Sequence, residues 1–240
     1  MKPLLLFDLD NTLFPFRQYW EEANRTTFTS SPLTNGLSYD AFLPLLKMFD
    51  EELWPLHVKE AITLNELRVE RFIRTMHALG RSVNKEQSQH YFEAFMENLL
   101  SSITMDEELR DFLDKLQQSY TLAILTNGKE KEQWRKIIQL NLTSVIPFEH
   151  IFISEDIGYD KPDPRAFQHV LKTLNVEARS ATYIGDSWTH DIQGSIGVGM
   201  NAIWITPRQA SSINENLHLS RTIYDIEPCL FHLNRTTTIT

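Results

Sequence analysis

The stretch Leu4-Leu5-Leu6-Phe7-Asp8-Leu9-Asp10 constrains this chain more than any other. Four uninterrupted apolar residues have the pattern of a strand buried on both faces of a parallel sheet. The run stops at Asp8, and a second carboxylate follows at Asp10. Two acids at the carboxyl end of a buried strand are costly, because like charges in low dielectric repel and lose their solvation. A positive group must answer them, most simply a divalent cation. Hard oxygen donors suit magnesium or calcium rather than a soft metal.

Two plainer readings compete. Asp-x-Asp is also ordinary turn chemistry after a strand. It could equally open an EF-hand loop with Asp8, Asp10 and Thr12 as ligands. That second reading fails, since Leu13 stands where the loop needs glycine and Tyr19 where it needs glutamate. The rest of the chain has to decide.

At 240 residues the chain can bury a sizeable core, as one large domain or two smaller ones. A net charge of −9 argues against a nucleic-acid polymer or an anionic membrane as the main partner. It leaves room for a small phosphorylated metabolite, which needs only local positive charge. Cys229 is the single cysteine, so there is no intrachain disulfide and no thiolate metal site. The apolar run before Asp8 is too short for a signal peptide, and no stretch has the length of a transmembrane helix. The expected location is cytoplasmic. Nothing in the composition fixes an oligomeric state.

The chain changes character after Pro15. Residues 16–102 show helical periodicity and no convincing strand, with helices expected over 17–29, 39–52, 59–79 and from Asn84 onward. Gly80 supplies a stop and Asn84 an N-cap. From residue 106 the pattern alternates. Helices are expected at 106–118, 129–140, 164–174 and 189–198, and strands at 122–125, 151–154, 181–184 and 202–205. This predicts an α/β fold, a doubly wound parallel sheet made of residues 1–15 and 103–240, with residues 16–102 inserted as an α-helical cap domain. Residues 207–221 read as a polar connection, 223–233 as a last strand or helix, and 236–240 as a frayed tail.

Three apolar strands end in a polar residue at the same relative place: Asp8, Thr126 and Asp186. In a parallel sheet such ends share one edge, and ligands bind in the crevice outside it. Thr126-Asn127-Gly128 offers a hydroxyl, a side-chain amide and backbone N–H groups to an anionic oxygen. Asp163 and Pro164 read as helix punctuation, which leaves Lys161 unexplained except as a neutralising charge. Asp191 could merely complement a helix dipole; Asp186 has no such role and is the better metal ligand. Four acids (Asp8, Asp10, Asp186, Asp191) against one lysine would repel a phosphate dianion. A bound Mg²⁺ and one proton bring the group near neutrality.

These four segments, in this order, resemble the motifs of the haloacid dehalogenase (HAD) superfamily of aspartate-nucleophile phosphatases. Asp8-Leu9-Asp10-Asn11-Thr12 is similar to its first motif, Thr126 to its second, Lys161 to its third, and Gly185-Asp186 with Asp191 to its fourth. The helical block resembles the type I cap, so the likeness covers nearly the whole chain and implies a Rossmann-like core. The resemblance implies that Asp8 attacks phosphorus and Asp10 acts as acid and then base. Thr126, Asn127 and Lys161 would hold the phosphoryl group. Mg²⁺ would be held by Asp8, the Asp10 carbonyl and Asp186, with Asp191 in support. Asp10 would need a proton for the first half-reaction.

The expected activity is therefore magnesium-dependent phosphomonoester hydrolysis through an aspartyl-phosphate. The opening residues and cap look closest to the family's 5'-nucleotidase-like phosphatases, so the substrate would be a nucleoside monophosphate or similar metabolite. Phe14, Phe16, Tyr19, Trp20, Trp54 and Phe72 make the cap region aromatic-rich, and most would form its own core. The alternatives are a sugar-phosphate phosphatase, a phosphoglucomutase-like phosphotransferase and a non-catalytic regulatory protein on the same fold. A dehalogenase is disfavoured by Asp10, and a phosphonatase by the solvated contexts of Lys47, Lys59 and Lys85.

Overall fold

The computed structural model describes residues 2–59, 61–207, 212–214 and 216–236. In chain order the elements begin with strand β1 (Leu4–Phe7) and helices α1 (Phe16–Ser30), α2 (Tyr39–Val58), α3 (Leu64–Ala78), α4 (Lys85–Ser102) and α5 (Glu107–Gln117). Then come β2 (Thr121–Thr126), α6 (Glu130–Gln139), β3 (Ile151–Ile153), α7 (Ser154–Ile157), α8 (Pro164–Thr173) and β4 (Ala181–Gly185). A π-helical turn, Trp188–Gln193, runs into α9 (Gly194–Gly197). The chain ends in β5 (Asn201–Ile205), β6 (Ser212–Asn214), β7 (Leu217–Ser220) and α10 (Glu227–Thr236).

The strands form one sheet in the order β3-β2-β1-β4-β5-β7-β6. All neighbours are parallel except β6, which runs antiparallel to β7 at the edge. β1 lies between β2 and β4, with Phe7 level with Ile124 on one side and Ile184 on the other. Its four residues are all buried, as a strand covered on both faces requires. Leu4 and Leu6 join Ala123, Leu125, Tyr183 and the α8 residues Phe167 and Val170 in one apolar cluster. The chain runs from β1 out to β3 and then crosses to β4 on the far side of β1. That reversal makes a crevice at the carboxyl ends of the central strands.

The chain folds into two units, Met1–Phe16 with Ile103–Thr240, and Arg17–Ser102. The second holds its own core of Phe28, Phe42, Leu46, Phe72, Met76 and Tyr91. Phe72 and Tyr91 stack with centroids 4.0 Å apart, and Arg71 pairs with Asp50. Of the aromatic residues singled out in the sequence, Phe14 is fully buried within the first unit, whereas Trp54 is largely exposed.

Three local expectations are corrected. The helix expected from residue 59 starts at Leu64, because Thr63 and Glu66 form a reciprocal capping box that fixes the entry. The helix expected over 189–198 begins as a π-helical turn. The connection expected over 207–221 contains β7, whose residues are all buried. His218 and Ser220 hide this strand from a hydropathy reading, although both pack inward. The frayed tail expected at 236–240 falls, beyond Thr236, outside the described residues. No described helix is long and apolar enough to cross a membrane.

Candidate active site

The carboxyl ends of β1, β2 and β4 bring together most of the residues singled out in the sequence. Asp8 follows the last residue of β1, and its backbone N–H donates to the Ile184 carbonyl at 2.9 Å, which extends the strand pairing. Its carboxylate is buried and accepts a hydrogen bond from Lys161 at 2.6 Å. Lys161 Nζ also donates to Asp191 Oδ1 at 2.7 Å and to the Tyr183 hydroxyl at 2.7 Å, and Tyr183 donates its own proton to the Leu125 carbonyl at 2.9 Å. All three ammonium protons are thus used inside the core.

Carboxylate atoms of Asp8, Asp186 and Asp191 lie within 4.8 Å of one another. One lysine cannot balance them. Burial pushes the Asp8 carboxyl up to about 8 against the pull of Lys161, and the neighbouring Asp191 charge adds to the rise. Burial alone would lower the Lys161 ammonium, but Asp191 and Asp8 outweigh it and the net shift is upward. A carboxylate held at that expense calls for more positive charge. The donor set is entirely hard oxygen, which fits magnesium.

Asp191 sits in the π-helical turn, and both of its oxygens are committed. Oδ1 takes Lys161, and Oδ2 accepts from the Ser187 backbone N–H at 2.9 Å. Single π-turns are frequent at functional sites because the extra residue redirects a side chain. Gly185 is required here for space, since a Cβ on it would fall on the Asp191 carboxylate. Asp186 is partly exposed, and its carbonyl accepts from the Trp204 indole at 2.9 Å.

The Thr126-Asn127-Gly128 segment is tied into the chain by its own hydrogen bonds. The Asn127 amide is engaged with the Lys161 backbone in both directions: its Nδ2 donates to the Lys161 carbonyl at 2.9 Å, and its Oδ1 accepts from the Lys161 N–H at 2.8 Å. Asn127 therefore fixes Lys161. Of the backbone N–H groups here, Gly128 donates to Ser154 Oγ at 3.0 Å, and Glu130 at the start of α6 donates to Glu155 at 2.8 Å. Thr126 Oγ1 accepts from Gln133 Nε2 at 2.8 Å.

The largest departure concerns Asp10. Its carboxylate is turned to Lys136, whose Nζ lies 2.8 Å from both Oδ1 and Oδ2. Gln133 Nε2 donates to Oδ2 at 3.2 Å. Lys136 is thus a second cation at the strand ends, beyond the one lysine counted from the sequence. Both α6 residues are buried. The signal was present: Gln133, Lys136, Ile137 and Leu140 follow the i, i+3, i+4, i+7 spacing of one inward face.

A model of a family described as haloacid dehalogenase-like hydrolase matches residues 5–205. The chain is 28% identical over 214 residues to the HAD-hydrolase YfnB of Bacillus subtilis, covering 88% of this chain and 87% of that protein. A solved structure of YfnB bound to magnesium superposes with a TM-score of 0.78 at 25% identity, covering 97% of this chain and 99% of that one. A glyceraldehyde 3-phosphate phosphatase of Pyrococcus abyssi is 28% identical over 210 residues, 85% of this chain and 81% of the relative. The pyrimidine 5'-nucleotidase PynA of Streptococcus pneumoniae is 27% identical over 205 residues, 85% and 83% of the two chains.

Proposed function

Because the chain belongs to the haloacid dehalogenase-like hydrolase family, we propose that it is a magnesium-dependent phosphatase that hydrolyses small phosphomonoesters through an aspartyl-phosphate. The observation that carries this reading is Asp8 at the end of the central strand, 2.6 Å from Lys161, with Asp186 and Asp191 alongside. Family members named as phosphatases and as a nucleotidase support it.

Asp8 and Asp186, with the Asp10 main-chain carbonyl, would hold the magnesium ion, and Asp191 would support them by fixing Lys161 and the Ser187 backbone. When bound, the ion supplies charge that offsets the acids and the phosphate oxygens. Asp8 supplies the nucleophilic oxygen: it forms an O–P bond while the ester oxygen leaves, giving an acyl-phosphate that water then hydrolyses. Lys161 holds Asp8 against rotation and places positive charge where the phosphoryl group passes. Phosphoryl transfer asks chiefly for such positioning and charge compensation. Asp10 hands a proton to the leaving oxygen and recovers one from the attacking water.

The substrate is proposed to be a nucleoside monophosphate or a short phosphorylated metabolite. The nucleotidase relative favours the first and the glyceraldehyde 3-phosphate phosphatases the second. A phosphomutase-like reaction would depend on a sugar bisphosphate, whereas a phosphatase releases inorganic phosphate from a single substrate. The test is phosphate release from an aryl phosphate with magnesium, with EDTA, and by Asp8→Asn. Release should require the metal and vanish in the variant while its unfolding transition persists. Turnover by a well-folded Asp8→Asn protein would remove Asp8 as nucleophile. A panel of nucleotides and sugar phosphates then separates the substrate classes.

A further inference from the structure

We propose that Lys136 is a positioning residue that acts through Asp10, an inference that rests on the phosphatase reading above. Its ammonium bridges both oxygens of the Asp10 carboxylate at 2.8 Å, which fixes the plane of the carboxylate as well as its place. The Asp10 side chain is 27% exposed, so solvent alone would leave its rotamers free to exchange. Lys136 is itself immobilised, with its side chain 5% exposed and its ammonium 4.6 Å from the centroid of the Phe16 ring. Phe16 stands edge-on to buried Phe14 at 6.2 Å, which backs the ring that Lys136 rests on.

Gln133, one turn earlier on α6, extends the arrangement. Its amide reaches Asp10 Oδ2 at 3.2 Å, Thr126 Oγ1 at 2.8 Å and the Asn127 carbonyl at 2.6 Å. One face of α6 therefore orients the acid/base and the hydroxyl at the end of β2 together. An acid/base group works only within hydrogen-bond reach of the atom it serves. A misplacement of about 1 Å can cost on the order of 100-fold. A lysine retained only for packing has no need of the carboxylate, since apolar replacements of buried ion pairs are often neutral or stabilising.

The experiment compares wild type with Lys136→Met, Lys136→Arg, Asp10→Asn and the double variant Asp10→Asn/Lys136→Met. Two substrates are used, an alkyl phosphate whose alkoxide needs a proton to leave and p-nitrophenyl phosphate whose phenolate does not. Lys136→Met should lower kcat/KM for the alkyl ester by about 10–100-fold, a loss that reaches the lower end of the roughly 10²–10⁴-fold a placed general acid supplies. The aryl ester should change by less than about threefold on the same argument. Lys136→Arg should recover part of the loss, because its fork also spans two carboxylate oxygens. In the Asp10→Asn background, Lys136→Met should add nothing. In a crystal structure of Lys136→Met, the Asp10 carboxylate should leave its place while Asp8 and Lys161 keep theirs. Equal losses on both esters, losses additive with Asp10→Asn, or an unmoved Asp10 carboxylate would each overturn the proposal. If the wild type releases phosphate from neither ester, the phosphatase reading falls, and the crystal structure still decides whether Lys136 places Asp10.

Discussion

Replacing Lys161 with methionine isolates the electrostatic cost of the buried cluster. The side chain is 2% exposed and makes three hydrogen bonds, two of them to carboxylates at 2.6 and 2.7 Å. Methionine keeps much of the volume and removes every donor, leaving Asp8 and Asp191 facing each other in low dielectric. Removing one partner of a buried ion pair costs about 3–5 kcal/mol, because the other charge stays buried and unanswered. For a chain of this size each kcal/mol moves the melting temperature by roughly 2–4 °C, so the fall should be on the order of 6–20 °C. The assay is calorimetric unfolding in EDTA at a pH above about 8, where Asp8 is ionised in the wild type, so that no cation compensates for the missing lysine. Lys161→Met/Asp191→Asn should regain part of the loss, since it removes one of the stranded charges. A Lys161→Met protein that melts within about 2 °C of wild type, less than 1 kcal/mol on this scale, would refute the argument. It would mean that the acids are solvated or protonated rather than held by the lysine.

Three further outcomes are expected. Asp186→Ala should weaken magnesium binding in a calorimetric titration with little change in melting temperature, whereas Asp191→Ala should lower the melting temperature as well, because it removes one of the two buried carboxylates that pair with Lys161; equal thermal effects would contradict the burial difference. Thr63→Ala breaks the capping box of α3 and should destabilise the Arg17–Ser102 unit by about 1 kcal/mol, read from the denaturant midpoint; no shift would show that the cap is redundant. Gly185→Ala places a methyl group on the Asp191 carboxylate and should reduce both stability and magnesium affinity, whereas a wild-type titration would show that Asp191 can move aside.

The central strands and their acids were legible because a buried parallel strand reads as an apolar run and ends abruptly. Asp8, Thr126 and Asp186 each mark such an end. Lys161 was legible by elimination, since Asp163 and Pro164 account for the start of α8 without it. Gln133 and Lys136 were hidden because polar residues on a helix ordinarily face water, and only their shared spacing with Ile137 places them inward. Tyr183 reads as a core aromatic, and nothing in the sequence says that its hydroxyl accepts a hydrogen bond from Lys161. β7 was hidden for a related reason. A four-residue strand with a histidine and a serine has too little apolar signal, although the sheet buries all four residues.

The placement of β1 has a consequence for the order in which a growing chain acquires structure. The strand that leads to Asp8 is made well before its partners, since both of its neighbours lie more than a hundred residues later, from Thr121 and from Ala181. Until residue 185 has been synthesised, β1 has an unpaired edge. The helices of the Arg17–Ser102 unit need only local contacts and can condense in the meantime. β1 is thus expected to be among the last segments to gain protection from amide exchange during synthesis or refolding. Pulse-labelling that finds residues 4–7 protected before the helices of residues 17–102 would show that β1 is nucleated by contacts other than its sheet neighbours.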